Sequence, residues 1–215
     1  MNISITLIII ALTCIISFQA FSNPEMRAKL LFRPVDIRNG EYYRFFTSGL
    51  IHADFSHLLF NMWALYIFGE RVESVFYNDL FGPVVGRVAY IIFYFSAIAI
   101  ASLPSYFRYQ DNYAYSALGA SGATSALSLI FILFHPWMWF IFPPLPGILL
   151  AVGYIWYSSY MDKKGTDHIG HNAHLTGAIY GIVFIVVASL LLKPELIDYM
   201  IAQLLAGPKP FPGFG

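Results

Sequence analysis

The chain has 215 residues, of which 58% are hydrophobic, 18% aromatic and only 11% charged, against roughly 25% charged in a soluble domain; its mean hydropathy is +0.65. That composition excludes an ordinary soluble fold and indicates an all-α polytopic membrane protein. Net charge is zero and no basic run occurs, so nothing points to a nucleic-acid partner. The single cysteine, Cys14, excludes an intrachain disulfide.

A spanning helix needs about 20 apolar residues. Six stretches approach that length, at about 3–21, 55–70, 84–103, 118–135, 145–160 and 171–192, and their short connections make residues 1–215 a single domain. The first lacks a basic leader region, and Phe18-Gln19-Ala20 is a poor small-x-small cleavage site, so it reads as a retained helix rather than a signal peptide. From Ser22 to Gly49, charged side chains (Arg27, Lys29, Arg33, Arg44) mix with Leu30, Phe32, Tyr42 and Phe45. Such a blend suits either an element lying along the headgroups or a folded surface loop. Pro104 is expected to end the third helix, with a polar loop from Ser105 to Ala117 behind it. The fourth stops before Pro136, Trp137 to Phe142 form an aromatic belt, and Pro143, Pro144 and Pro146 precede the fifth helix. That helix ends near Tyr160, Asp162-Lys163-Lys164-Gly165 turns the chain, and residues 208–215 read as a disordered tail.

With six spans, the second, fourth and sixth helices run in the same direction and begin on one face of the membrane. Asn61, Ser121 and His174 lie near those beginnings and share that face whichever way the protein inserts. Loop charge divides eight Lys and Arg against four, which by the positive-inside rule would put this face in the cytoplasm.

A serine hydroxyl becomes a nucleophile when a base takes its proton, and imidazole is the usual base. Ser121 stands between Gly119 and Gly122 at a helix start, where unpaired backbone N–H groups can receive an oxyanion; the same position equally suits a simple cap. His174 is followed by Gly177 and Gly181, and Gly122 with Ala126 offers a matching small face. Close packing of the fourth and sixth helices through these faces would bring Ser121 to His174. His57 and Asn61, at i and i+4, share one face of the second helix and can both donate toward an oxyanion, although asparagine in a membrane helix is also interhelical glue.

Gly-Ala-Ser-Gly-Ala at 119–123, Ala-His-Leu-Thr-Gly-Ala-x-x-Gly at 173–181 and His-x-x-x-Asn at 57–61, on alternate helices, resemble the rhomboid family of intramembrane serine proteases. Tyr43-Arg44 resembles the aromatic-Arg pair of that family's first loop, and Glu70-Arg71-Val72-Glu73 the acidic end of its second helix. The resemblance implies a six-transmembrane-helix bundle of the bacterial core type, with Ser121 as nucleophile and His174 as general base and acid. It further implies His57, Asn61 and the Ser121 backbone N–H as oxyanion hole, and a mobile fifth helix as substrate gate. Gly119, Gly122, His171 and Gly177 are supporting candidates. No cofactor and no metal are implied; the partners would be transmembrane protein substrates and the lipid bilayer. The resemblance also places the active site on the extracytoplasmic side of a bacterial inner membrane, and this is adopted over the charge count. One departure stands out: many relatives carry an aromatic four residues after the nucleophile, where this chain has Ser125.

Two other functions compete with proteolysis. An inactive binding module would escort membrane proteins, but would not require the serine, the histidine and the oxyanion donors together. A metal or proton transporter would use His168, His171 and His174, with His52, His57 and Asp167 on the same side; it gives no reason for Gly-Ala-Ser-Gly.

Overall fold

A computed structural model describes residues 4–141, 143–164 and 170–208. Phe142, Gly165, Asp167, His168 and the tail beyond Pro208 lie outside the described residues. The elements are helical: α1 (Ile5–Ser22), α2 (Pro24–Leu30), α3 (Pro34–Arg38), α4 (Arg44–Thr47), α5 (Phe55–Ala64), α6 (Glu70–Ser74), α7 (Val85–Tyr109), α8 (Ser121–Phe134), α9 (Gly147–Lys164), α10 (His171–Leu192) and α11 (Glu195–Leu205). Three of them, α1, α7 and α10, are long and apolar enough to cross a membrane, and α8 is a shorter apolar helix.

At four places the structure differs from expectation. The second predicted helix does not stop at residue 70. Wide π turns at Leu65–Gly69 and Val75–Leu80 flank α6 and carry the helical path to Leu80. Pro104 sits inside α7 rather than at its end. Proline removes one backbone hydrogen bond, and the turn beyond it is held by side chains: Tyr106 packs on Phe45 at 5.5 Å, Tyr109 stacks on Tyr115 at 3.9 Å, and the Tyr115 hydroxyl donates to Ser105. The Asp162-Lys163-Lys164 run is the last turn of α9, with Asp162 3.3 Å from Arg108 on α7. Finally, α11 was not expected at all. It lies against the end of α8, with the Phe134 and Tyr199 rings 6.1 Å apart and the Trp137 indole donating to the Leu204 carbonyl at 2.8 Å.

The segment between α1 and α5 is a folded loop built around a buried Arg44. Its guanidinium pairs with Glu41 at 2.7 Å and Asp36 at 3.4 Å and donates to the carbonyls of Ala28 and Leu31. Those partners satisfy a cation that burial would otherwise penalise. The loop is stapled to the chain ahead of α8 by a two-bond bridge between Phe32 and Ala117. At the far end, Glu73 caps α1, accepting from the backbone N–H groups of Ile5 and Thr6 at 2.8 and 2.9 Å. A carboxylate on unpaired first-turn donors is the favourable arrangement. These ties join α1 to α6 and the loop to the chain that leads into α8.

α8 lies at the middle of the bundle, with 11 of its 14 residues buried.

Candidate active site

Glycine-on-backbone contact brings α8 and α10 together. A Cβ on Gly177 would overlap the Gly122 carbonyl oxygen and stand 3.0 Å from its Cα, and one on Gly181 would stand 2.5 Å from the Ala126 carbonyl oxygen. The small faces read from the sequence therefore do meet, at the residue after Ser121 and one turn beyond His174. Nothing bulkier than hydrogen fits at Gly177.

Ser121 is the first residue of α8, and Ala120 before it supplies no side-chain cap. The first-turn N–H groups consequently have no capping acceptor. Gly119 has φ +112, a left-handed conformation that glycine tolerates. A Cβ there would also stand 2.7 Å from Cε1 and 2.9 Å from Nε2 of His57, so the missing side chain makes room for that ring. The Gly119 N–H donates to the Ser48 carbonyl at 2.9 Å, which fixes the approach to α8.

Asp54 caps α5 by accepting from the His57 backbone N–H at 2.8 Å, and the His57 Nδ1 accepts from Ala53 N–H at 3.4 Å. The proton of a neutral ring then sits on Nε2, the edge that faces Gly119. One turn on, Asn61 donates to the His57 carbonyl at 2.9 Å and accepts from the Thr124 hydroxyl at 3.3 Å, bridging α5 to α8.

Three residues outside the catalytic set expected from the sequence border the site. His52 is fully buried; its Nδ1 lies 3.0 Å from the Ser17 hydroxyl, which donates to the Leu50 carbonyl, and its Nε2 accepts from Ala120 N–H at 3.4 Å. Ser17 has spent its proton on Leu50, so His52 carries its own on Nδ1 and ties α1 to the residue preceding Ser121. Burial, with the His57 ring adding to it, pushes the His52 pKa down to about 3, and the ring stays neutral. Ser125 donates to the Ser121 carbonyl at 2.7 Å. Tyr154 of α9 lies parallel to the His174 ring, with centroids 6.1 Å apart and 19° between planes. A signal for Tyr154 existed: Tyr154 and Tyr157 share the spacing of His171 and His174, and Tyr157 meets His171 edge-on at 5.5 Å.

Asn61, Ser121 and His174 line one cavity of about 380 Å³, which runs between α5, α8 and α9 as far as Phe68, Ile132 and Phe140. His57 flanks this space against Gly119, and His171 is buried one turn from His174, their rings 6.1 Å apart. Among the described residues no hydrogen bond joins the Ser121 hydroxyl to the His174 imidazole, and no three His, Cys, Asp or Glu side chains gather as metal ligands would.

The chain has known relatives. A family profile described as the Rhomboid domain matches residues 39–190, well over half of the chain. The chain is 28% identical over 173 residues to "RHOMBOID-like protein 12, mitochondrial" of Arabidopsis thaliana, covering 76% of this chain and 51% of that protein. It is also 28% identical over 96 residues to a Bacillus subtilis protein named "Putative rhomboid protease YdcA", covering 45% of this chain and 43% of that one. The chain thus spans about half the length, or less, of these curated relatives. With most of its length inside that domain and three helices fit to cross a bilayer, this integral membrane protein belongs to the rhomboid family.

Proposed function

We propose that the protein is an intramembrane serine endopeptidase that cleaves transmembrane-anchored proteins near the membrane surface through a Ser121–His174 dyad. The observation that carries this reading is the shared cavity: a serine at an uncapped helix start, an imidazole from the tightly apposed helix and an asparagine amide all open onto one space. His174 takes the Ser121 proton as Oγ attacks the scissile carbonyl. The oxyanion is received by the Ser121 backbone N–H, the Asn61 amide and the His57 Nε2–H. Collapse of the adduct breaks the peptide bond, His174 protonates the leaving amine, and water then releases the acyl group by the same steps in reverse.

Six spans, formed by α1, the run from α5 to Leu80, α7, α8, α9 and α10, fit this reading. An α8 of 14 residues rises about 21 Å, short of a hydrocarbon layer of about 30 Å, so Ser121 is set below one surface. Substrates would carry small, helix-destabilising residues near the scissile bond, because a peptide bond inside a stable helix is shielded. By analogy with the bacterial core type the protein sits in an inner membrane with its active face extracytoplasmic; the mitochondrial relative makes an organellar membrane the competing location.

The unmade Ser121–His174 hydrogen bond favours one second reading, an inert module that binds membrane proteins. Apo dyads also rest with such bonds unformed. Labelling the detergent-purified chain with a fluorophosphonate, mapped by mass spectrometry, tests the proposal. Modification at Ser121 that disappears in His174→Ala is expected; a folded sample that never labels supports the inert module.

A further inference from the structure

We infer that Tyr154 is the positioning residue that holds the His174 imidazole in register with Ser121, and that Ser125 is its anchor. This rests on the protease reading above. The sequence poses the problem, since Ser125 occupies the position from which an aromatic one turn beyond the nucleophile would stack on the imidazole, and a serine has no ring. In the structure the ring is supplied by a different helix: Tyr154 of α9 lies 19° from parallel to His174 at 6.1 Å.

The tyrosine is not free to turn. Its hydroxyl is 2.5 Å from Ser125 Oγ, and Ser125 Oγ donates to the Ser121 carbonyl at 2.7 Å. Ser125 has one proton and that bond uses it, so Tyr154 is the donor of the other. The chain Tyr154 O–H to Ser125 O–H to Ser121 carbonyl ties the stacking ring to the backbone of the nucleophile itself. A small residue at 125 is what the ring needs, because a second aromatic there would fill the same space. Tyr157 against His171 adds a second rung, 5.5 Å apart and 81° between planes, which resists sliding of α9 along α10. Both rungs pair residues three apart on each helix, so the register is set twice.

The test measures fluorophosphonate labelling of Ser121 in the full-length chain, separating the maximal inactivation rate from the half-saturating concentration. Misplacing a catalytic group by about 1 Å costs on the order of 10²-fold in rate, so Tyr154→Leu is expected to lower the maximal rate by about 30- to 100-fold with little change in the half-saturating concentration. Tyr154→Phe keeps the stack and loses the tether, and should lose about 3- to 10-fold. Ser125→Ala should match it, and the double variant Tyr154→Phe with Ser125→Ala should lose no more than either alone. Adding Ser125→Phe to Tyr154→Leu returns an aromatic to the imidazole and should recover most of the rate. A folded Tyr154→Leu that labels at the parental rate overturns the inference. So does additive loss in the double variant, which still decides the matter if Tyr154→Leu fails to fold. If the parent protein itself never labels at Ser121, the protease reading falls and this inference with it; labelling of the parent with indifferent Tyr154 variants sinks this inference alone.

Discussion

α8 meets its neighbours in two opposite ways. Toward α10 the contact is backbone on backbone, with Gly122 and Ala126 against Gly177 and Gly181 and no room for a methyl group at Gly177. Toward α5 and α9 the same helix borders a cavity of about 380 Å³, closed across by side-chain contacts such as the single hydrogen bond from Tyr154 to Ser125. The difference separates two requirements. Ser121 and His174 are held on helices locked together by the tight seam, and on the proposed reading the cavity on the other side is the space that would take a substrate. A protein that packed both sides equally would position its groups well and admit nothing.

The sharpest way to break this contrast is at Gly177. Gly177→Leu forces α8 and α10 apart and is expected to cost about 3 kcal/mol or more, read as loss of the folded state in a denaturant titration with Ser121 labelling lost alongside. Normal folding would mean the seam is not what joins the two helices. Next in size, Asn61→Ala removes the proposed oxyanion donor and the link to Thr124. Turnover should fall about 10²-fold while stability drops by only about 1 kcal/mol; a large loss of stability with unchanged turnover in the surviving fold would make Asn61 glue alone.

A smaller effect concerns His52, buried between α1 and the residue ahead of Ser121. Its folded pKa is depressed to about 3 from 6.5 by burial, whereas the unfolded chain takes up the proton near pH 6.5. The stability due to its hydrogen bonds is therefore complete above about pH 6.5 and is lost progressively as pH falls toward 3. His52→Gln does not titrate, so the melting temperature advantage of the parent at pH 8 should narrow steadily as the pH is lowered from 6.5. A difference independent of pH would place the proton elsewhere. The smallest effect is on the exposed face of α9, where a Cβ at Gly153 meets nothing within 4 Å. Gly153→Ala should leave labelling intact and stabilise by up to about 1 kcal/mol through helix propensity, the reverse of any change at Gly177.

What the sequence made legible was whatever is local along one helix. The His57–Asn61 spacing, the serine among glycines and the Gly177–Gly181 pair are each written within a turn or two; the structure sets Asn61 and Ser121 on one cavity and packs the glycine pair against the backbone of α8. What it hid depends on partners far along the chain. Pro104 reads as a stop, yet Tyr106 and Tyr109 find Phe45 and Tyr115 and the helix continues. Ser125 reads as a missing aromatic because its substitute is 29 residues away on α9. His52 reads as one more histidine on the active face because its partners, Ser17 and Ala120, are brought to it by folding alone. The short helix α11 did leave a local sign, Pro194 followed by Glu195 and Asp198 in a first turn.

The central claim is that Ser121 cleaves peptide bonds inside the membrane. The most direct measurement reconstitutes the chain in liposomes with a single-span membrane protein that carries a glycine-rich stretch near the bilayer surface, and follows its cleavage beside a Ser121→Ala variant of equal melting temperature. A discrete cut by the parent and none by the variant is the expected result. Equal cleavage by both would contradict it.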